Sequence, residues 1–334
     1  MKKIVFLISV ILLTVSCQSC RHQPEPGFTS IRGTVFGTTY TISYFTHDTT
    51  NLLPSIDSLF HAFNQSLSYY EKNSLISRIN RNETDTTDHF FRTVFERAVA
   101  ISEETDGAFD ATVSPLVNAW GFGFSKKEDI TDELIDSLLQ FVGFRKAWLE
   151  GHRVVKADER IQFDFNAIAK GYAADVIGDF LASRGVDIFL VEIGGDLVVK
   201  GVKPDGSKWR IGLENPAGSM YDEQQWDYYV ELEDIGLATS GNYRRYYEVD
   251  GMRYAHTINP ATGFPVQHAL LSASVFAPDG MSADAYATAF MVMGPEASVQ
   301  FVEGRDDLEA FFIYAASDGT FQSHATAGLN LRRR

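Results

Sequence analysis

Apolar residues recur at helical spacing in two stretches of this chain: Leu53, Ile56, Phe60, Phe63 and Leu67, then Phe91, Val94, Phe95, Ala98 and Ile101. Such spacing lines one face of a helix, so each stretch predicts an amphipathic helix with its apolar side inward. Thr131 can cap a further helix running to about Phe141, with Asp132 and Glu133 in its first turn. A helix is expected from about Ala167 to Arg184, closed by Gly185, and another from near Ser282. A final helix and two strands complete the chain. Strand patterns occupy the rest. Residues 28–46 alternate around turn-forming Gly33 and Gly37, and residues 147–165 read as two strands around Glu150-Gly151. Residues 186–214 read as strands broken at Gly194-Gly195 and Asp205-Gly206. Residues 226–277 add several more, with Asp250-Gly251 as a hairpin turn. Helices and strands mix without regular βα alternation, which predicts an α+β fold.

Length and charge narrow the picture. At 334 residues the chain can bury one large core or two intimately joined ones. Its formal charge is −15; Lys2 and Lys3 are the only charges in residues 1–16, so the remainder carries −17. An acidic body is a poor partner for nucleic acid, which rewards basic surface. Phosphates, if bound, need local amides, a few cations or a metal. The apolar run Ile4 to Val15 follows Lys2 and Lys3 and is too short to span a bilayer comfortably, which suits a signal peptide. It ends in Thr14-Val15-Ser16-Cys17, similar to a bacterial lipoprotein signal cleaved before a lipid-carrying Cys17. The expected division is signal peptide 1–16, tether 17–27 and one domain over 28–330, lipid-anchored through Cys17 on the extracytoplasmic (periplasmic) side of the bacterial cell envelope. An ordinary secretory peptide is the alternative. Cys17 and Cys20 also have redox CxxC spacing, but no βαβ pattern surrounds them. They are the only two cysteines, so the body has no disulfide framework and no thiol nucleophile.

Candidate chemistry sits in short blocks. Ala238-Thr-Ser-Gly-Asn-Tyr-Arg-Arg, His256-Thr-Ile-Asn-Pro-Ala-Thr-Gly-Phe-Pro and Ser282-Ala-Asp-Ala-Tyr-Ala-Thr crowd polar groups and turn signals between apolar runs, more than a plain core needs. Asp284 and Thr288, four apart, share one face of a predicted helix and offer the oxygen that a hard cation such as Mg²⁺ prefers. Asp284 equally suits a helix start behind a Ser282 cap. Phe163-Asp-Phe-Asn-Ala-Ile-Ala-Lys is expected to run from a strand ending at Asp164 into a helix, with Lys170 about one turn in. Helix-start amides and a lysine attract an anion, although a capped helix with a solvated lysine reads the same way. Glu192-Ile-Gly-Gly-Asp196 offers a turn where backbone can approach a ligand. Tyr69, Phe109 and Trp120 can stack on a flat ring, though such aromatics more often build a core. There is no G-x-x-x-x-G-K-[ST] loop and no strand–GxGxxG–helix unit. The eight histidines show no zinc spacing.

Taken together, the blocks resemble the ApbE family of bacterial FAD:protein FMN transferases. Those that carry the resemblance are Phe36-Gly-Thr-Thr-Tyr, Ser68-Tyr-Tyr, Ser74-Leu-Ile-Ser-Arg-Ile-Asn, Gly107-Ala-Phe-Asp-Ala-Thr-Val-Ser-Pro-Leu-Val-Asn-Ala-Trp-Gly-Phe-Gly and Ala167-Ile-Ala-Lys-Gly-Tyr-Ala-Ala-Asp. Ile193-Gly-Gly-Asp, Ala238-Thr-Ser-Gly-Asn-Tyr, the His256 block and Ala283-Asp-Ala-Tyr-Ala-Thr complete it, in order, over about residues 30–325. The resemblance implies a T-fold-like α+β core with an attached α/β subdomain. It implies an Mg²⁺-dependent enzyme that cuts the FAD pyrophosphate, releases AMP and links FMN by a phosphoester to a Ser or Thr of a partner. By matching position, Asp284, Thr288 and the Ala167 carbonyl are metal ligands. Asp164, Lys170 and His256 are nucleotide contacts, as are Phe36, Tyr69, Ala108, Phe109 and Asp110. Where Phe36 and Ala167 stand, the family often has Met and Gly; a carbonyl ligand does not depend on its side chain. Asp284, His256 and Asp164 are the candidates to take the acceptor proton. The implied acceptor motif, [ST]-G-A-[ST], is absent from this chain, so the acceptor is expected on another extracytoplasmic protein, such as a subunit of a redox membrane complex. Two rivals stand beside this reading: an FAD pyrophosphatase giving FMN and AMP, and a non-catalytic flavin-binding lipoprotein.

Overall fold

The computed structural model describes residues 27–48, 50–123, 129–213, 228–242, 246–249, 252–255, 257–316, 318 and 320–333, with backbone alone for 246–249 and 252–255. Cys17, Cys20, the Asp250-Gly251 turn and His256 lie outside the described residues. In chain order the elements are β1 (Gly27–Val35), β2 (Thr38–Thr46), α1 (Leu53–Leu67), α2 (Leu75–Asn80), α3 (His89–Glu104), α4 (Ser114–Ala119), α5 (Asp132–Leu139), β3 (Ala147–Glu150), β4 (Arg153–Lys156) and α6 (Ala169–Ser183). They continue with β5 (Phe189–Ile193), β6 (Asp196–Lys200), β7 (Trp209–Leu213), β8 (Tyr228–Leu232), β9 (Ile235–Gly241), β10 (Tyr246–Val249), β11 (Met252–Ala255), β12 (Leu270–Ala277), α7 (Gly280–Met293), α8 (Pro295–Glu303), β13 (Glu309–Ala315), β14 (Phe321–Ala325) and β15 (Arg332–Arg333). Among the described residues no helix is long and apolar enough to cross a membrane.

The frame is an eight-stranded sheet in the order β1-β2-β5-β6-β9-β12-β13-β14, antiparallel at every pairing. Side chains alternate between its faces, and both faces are buried. Val198, Ala238, Val275 and Phe312 point to the main core with α6 and α7. Leu197, Val199, Leu237, Phe276 and Phe311 point the other way, onto β7 and β8 of a three-stranded sheet. A third cluster, Leu116, Trp120, Ile135, Val142 and Ile258, joins α4 and α5 to the loop after residue 256.

Local chemistry sets the helix starts. Asp88 accepts from Phe91 N at 2.8 Å, Thr131 from Leu134 N at 3.2 Å and Asp279 from Ser282 N at 2.6 Å. The Ser282 cap is therefore replaced by Asp279, and the helix starts two residues earlier, at Gly280. Other expectations are also corrected. Gly33 is not a turn residue: it lies in β1 opposite Tyr40, whose ring covers the space a Cβ would fill. The hairpin turns instead at Phe36 (φ 51°) and Gly37 (φ 75°), both left-handed, as a two-residue turn between right-twisted strands requires. Strand pairing after Glu150-Gly151 ends at Lys156, so residues 157–165 form no strand and Asp164 does not close one. Lys170 lies in the first turn of α6, earlier than expected. Two short helices, α2 and α4, went unread.

α6 crosses α7 closely enough that neither backbone has room for a side chain at the crossing. A Cβ on Gly171 would overlap the Gly280 carbonyl and stand 2.9 Å from Asp284 Cβ. Gly171→Ala should therefore destabilise the protein by roughly 1–3 kcal/mol through overpacking, despite alanine's better helix propensity. Urea unfolding checks this: the midpoint should fall with the slope unchanged. An unchanged midpoint would show that the crossing has slack.

Candidate functional site

Three elements meet at one end of the large sheet: the start of α6, the turn leading into β6, and the middle of α7. Asp284 is buried on α7. Its Oδ2 accepts from Gly171 N at 3.2 Å and stands 3.6 Å from Lys170 Nζ. Its Oδ1 takes no hydrogen bond from any described residue. Lys170 also ion-pairs with Asp196, at the first position of β6. One ammonium thus bridges two buried carboxylates. Burial alone would lower Lys170, but Asp196 and Asp284 outweigh it and hold the amine above its ordinary range. Burial pushes the Asp196 carboxyl up, the charge of Asp284 adds to this, and Lys170 pulls it back.

Thr288 lies one turn beyond Asp284, and its hydroxyl is 3.2 Å from Ser240 Oγ on β9. The next hydroxyl pair, Thr239 and Ser274, is 2.9 Å apart. At the start of α6, Asp164 Oδ1 accepts from Asn166 N at 2.8 Å; burial raises this carboxyl and that amide draws it back. Asp164 N donates to Ala111 O at 2.8 Å, tying this segment to the Gly107 block. No described backbone N–H donates to the Ala167 carbonyl just before the helix.

The aromatic blocks make contacts of their own, and the Phe36 block reaches α6 through Phe63. Phe36 packs on Phe60 and Phe63 with ring centroids 5.7 and 5.4 Å away, and Phe63 is 5.5 Å from Tyr172 of α6. Tyr69 Oη is 2.7 Å from Ser114 Oγ and accepts from Asn118 Nδ2 at 2.8 Å. Trp120 Nε1 donates to Gly263 O at 2.8 Å, and Thr257 Oγ1 donates to Asn242 Oδ1 at 2.8 Å, so the loop after residue 256 is held from both sides. Gly194 N donates to Thr39 O at 2.9 Å, bringing the Phe36 and Gly194 blocks together.

Not every sequence candidate presents its side chain. Phe109 is a core residue. The Asp110 carboxylate is spent on structure, tying its own loop to the segment after α5: Oδ1 accepts from Thr112 N and Oγ1 at 2.7 and 2.6 Å, and Oδ2 from Phe144 N at 2.8 Å. Ala108 is half-buried and its N donates to Thr105 O at 3.0 Å. These three shape a loop, and contact from them would come through backbone. Asp196 and Ser240 went unread as functional residues. An acid opening the apolar run Asp196-Leu-Val-Val is the signal that could have found the first.

The donor set suits a hard cation. Among the described residues no three His, Cys, Asp or Glu side chains cluster, so a metal here would draw on hydroxyl and carbonyl oxygen besides Asp284. That is the chemistry of Mg²⁺, which dehydrates reluctantly and shares its sites with phosphate, and not of zinc. With a lysine and a helix start alongside, fold and site define a class: an α+β protein with an oxygen-lined, phosphate-suited centre at one sheet end.

Residues 36–312 match the ApbE family. The FAD:protein FMN transferase of Vibrio cholerae is 35% identical over 329 residues, covering 96% of each chain. A solved structure of the flavin transferase ApbE from Vibrio cholerae superposes with TM-score 0.80 at 34% identity, over 90% of this chain and 98% of that one. The apo flavinyl transferase ApbE of Pseudomonas stutzeri gives 0.81 at 33% identity, over 90% and 95%. This chain belongs to the ApbE family.

α6 also supplies a second cap for α7, and that contact titrates. Asp175 accepts from Gly280 N and Met281 N, both at 2.8 Å. Burial, with the charge of Asp279 added, pushes the Asp175 carboxyl up to about 8 while the two amides pull it back. The folded state therefore holds a proton that the unfolded chain has released, and stability falls as pH rises from about 4 towards 8, by at most about 1.4 kcal/mol per pH unit. Asp175→Asn should flatten that decline. Urea midpoints at several pH values decide it; parallel curves for both proteins would remove the assignment.

Proposed function

We propose that this protein transfers FMN from FAD to a Ser or Thr hydroxyl of a separate protein, forming a phosphoester and releasing AMP. The carrying observation is the buried Asp284: its Oδ2 is fixed by Gly171 and Lys170, and its Oδ1 is unclaimed among the described residues. Thr288 stands one turn on, and Ala167 lies two residues before the first residue of α6. Asp284, Thr288 and Ala167 would hold Mg²⁺. When bound, the metal supplies charge neutralisation at the pyrophosphate, which phosphoryl transfer chiefly requires.

The chain's own groups do the positioning. Lys170 would hold phosphate oxygens; the amides around the α6 start are taken, Ala169 N by Phe165 O at 2.8 Å, Gly171 N by Asp284 Oδ2 at 3.2 Å and Tyr172 N by Ile168 O at 3.2 Å. Phe36, Tyr69 and His256 are assigned to the nucleotide from their places in the sequence blocks. Asp164 at the α6 start and His256 are the residues free of a proposed metal role that can take the acceptor proton. The acceptor lies in trans, because this chain has no [ST]-G-A-[ST] segment. The Lys2/Lys3 start, the short apolar run and the Ser16-Cys17 junction support a lipid-anchored, extracytoplasmic location. Mass spectrometry of the membrane fraction should find lipidated Cys17 as the first residue; an unmodified start elsewhere would reject the anchor.

The transfer itself is read from the mass of an acceptor domain incubated with enzyme, FAD and Mg²⁺. One FMN should be gained at a single hydroxyl and lost when that residue becomes Ala. Asp284→Ala should lower the rate by about a hundredfold or more, roughly 2.7 kcal/mol of barrier, with the fold retained. AMP released equally without acceptor, and no covalent flavin on several acceptor domains, would replace this reading with FAD hydrolysis. No AMP in any mixture would leave a flavin carrier.

A further inference from the structure

The Lys170 ammonium has two carboxylates within reach, and it does not sit midway between them. It is in close ion-pair contact with Asp196, whereas Asp284 Oδ2 is 3.6 Å away. Asp196 is the less mobile partner. It occupies the first position of β6, and its side chain is almost fully buried. The turn before it is held by Gly195 N donating to Glu192 Oε1 at 2.7 Å and Gly194 N to Thr39 O at 2.9 Å. The lysine is on the first turn of α6, with its side chain one-third exposed, so its long stem can swing.

We propose that Asp196 is a positioning residue that draws Lys170 to one side of Asp284. Without Asp196, the nearest buried anion for the ammonium is Asp284 itself. Lys170 would then close onto that carboxylate and compete with a cation for it. The buried Asp284 carboxylate is costly to leave without a countercharge, so it draws an ammonium that Asp196 no longer holds. The role rests on the reading that Asp284 takes a divalent cation, and it adds to that reading a reason for the second acid.

Binding of Mn²⁺ alone, followed by water-proton relaxation without FAD or acceptor, tests this independently of turnover. Four proteins are compared: wild type, Asp196→Asn, Lys170→Met and the double variant. Asp196→Asn should weaken Mn²⁺ binding by about tenfold or more, the scale seen when a partner behind a metal ligand is lost. Lys170→Met should raise affinity only modestly in the wild type, by about threefold, and by about tenfold or more in the Asp196→Asn background. That inequality is the signature of a lysine that relocates. Equal factors in both backgrounds would mean that the two charges act independently, and would overturn the role of Asp196 alone. No Mn²⁺ binding by the wild type would overturn the cation site and this role with it. Near-ultraviolet circular dichroism checks each fold, and Asp196→Ser replaces the Asn variant if that one does not fold.

Discussion

The crossing of α6 over α7 at Gly171 and Gly280 is the contact on which the rest depends. With no Cβ on Gly171, the α6 backbone lies against the Gly280 carbonyl. That approach brings the Gly171 amide within 3.2 Å of the Asp284 carboxylate. It also carries Lys170, one residue earlier, to the same acid, and Asp175, one turn later, to the α7 N-terminus. A single steric permission therefore sets a helix cap, a carboxylate position and an ion pair. Separating the helices by the width of a methyl group would disturb all three.

Electrostatics explain why the site must be so local. The chain carries a formal charge of −15, which repels a pyrophosphate at long range. Attraction has to come from groups at contact distance, of which the Lys170 ammonium is one. Asp196 and Asp284 add negative charge at this very place, and Lys170 offsets it only in part. Buried ion pairs seldom add much stability, because desolvation cancels most of the attraction. Their presence here fits a centre with spare negative charge and, among the described residues, an unclaimed carboxylate oxygen, which is what a divalent cation recognises.

Much of the fold was legible because period and caps act locally. Ile56, Phe60, Phe63 and Leu67 line one face of α1, and all are buried, as their spacing requires. Thr131 caps α5 as its sequence context indicates. Asp284 and Thr288 do share a helix, although their spacing alone did not reveal that each meets a different neighbour, Gly171 and Ser240. What escaped depends on partners far along the chain. Gly33 resembles a turn residue until Tyr40 is laid across it by strand pairing. Phe163 and Phe165 alternate like a strand, yet their backbone joins no sheet; both rings pack on Phe91 of α3. Helices of six residues such as α2 and α4 are too short to show a period. Asp196 showed only as an acid at the head of an apolar run; its role was hidden because its partner comes from another element, 26 positions away.

α7 presents a different problem from the other helices. Ala283, Ala285, Tyr286, Ala287, Ala289 and Phe290 are fully buried, so this helix is apolar nearly all round and no hydrophobic stripe fixes its rotation. Polar ties must do so. Asp279 and Asp175 hold its first amides. On the side away from the site, Tyr286 donates to Glu104, which also pairs with Arg305, while Arg97 Nε reaches Ser282 Oγ at 2.9 Å. Near its end, the Met291 carbonyl accepts from His268 Nε2 at 2.9 Å, a role consistent with Nδ1 accepting from Leu270 N at 3.2 Å. Small alanines let strands and helices come close, and these hydrogen bonds choose the one rotation in which Asp284 faces Gly171 and Thr288 faces Ser240. The polar residues of this block are therefore of two kinds, those that form the site and those that aim it, and only their contacts separate the two.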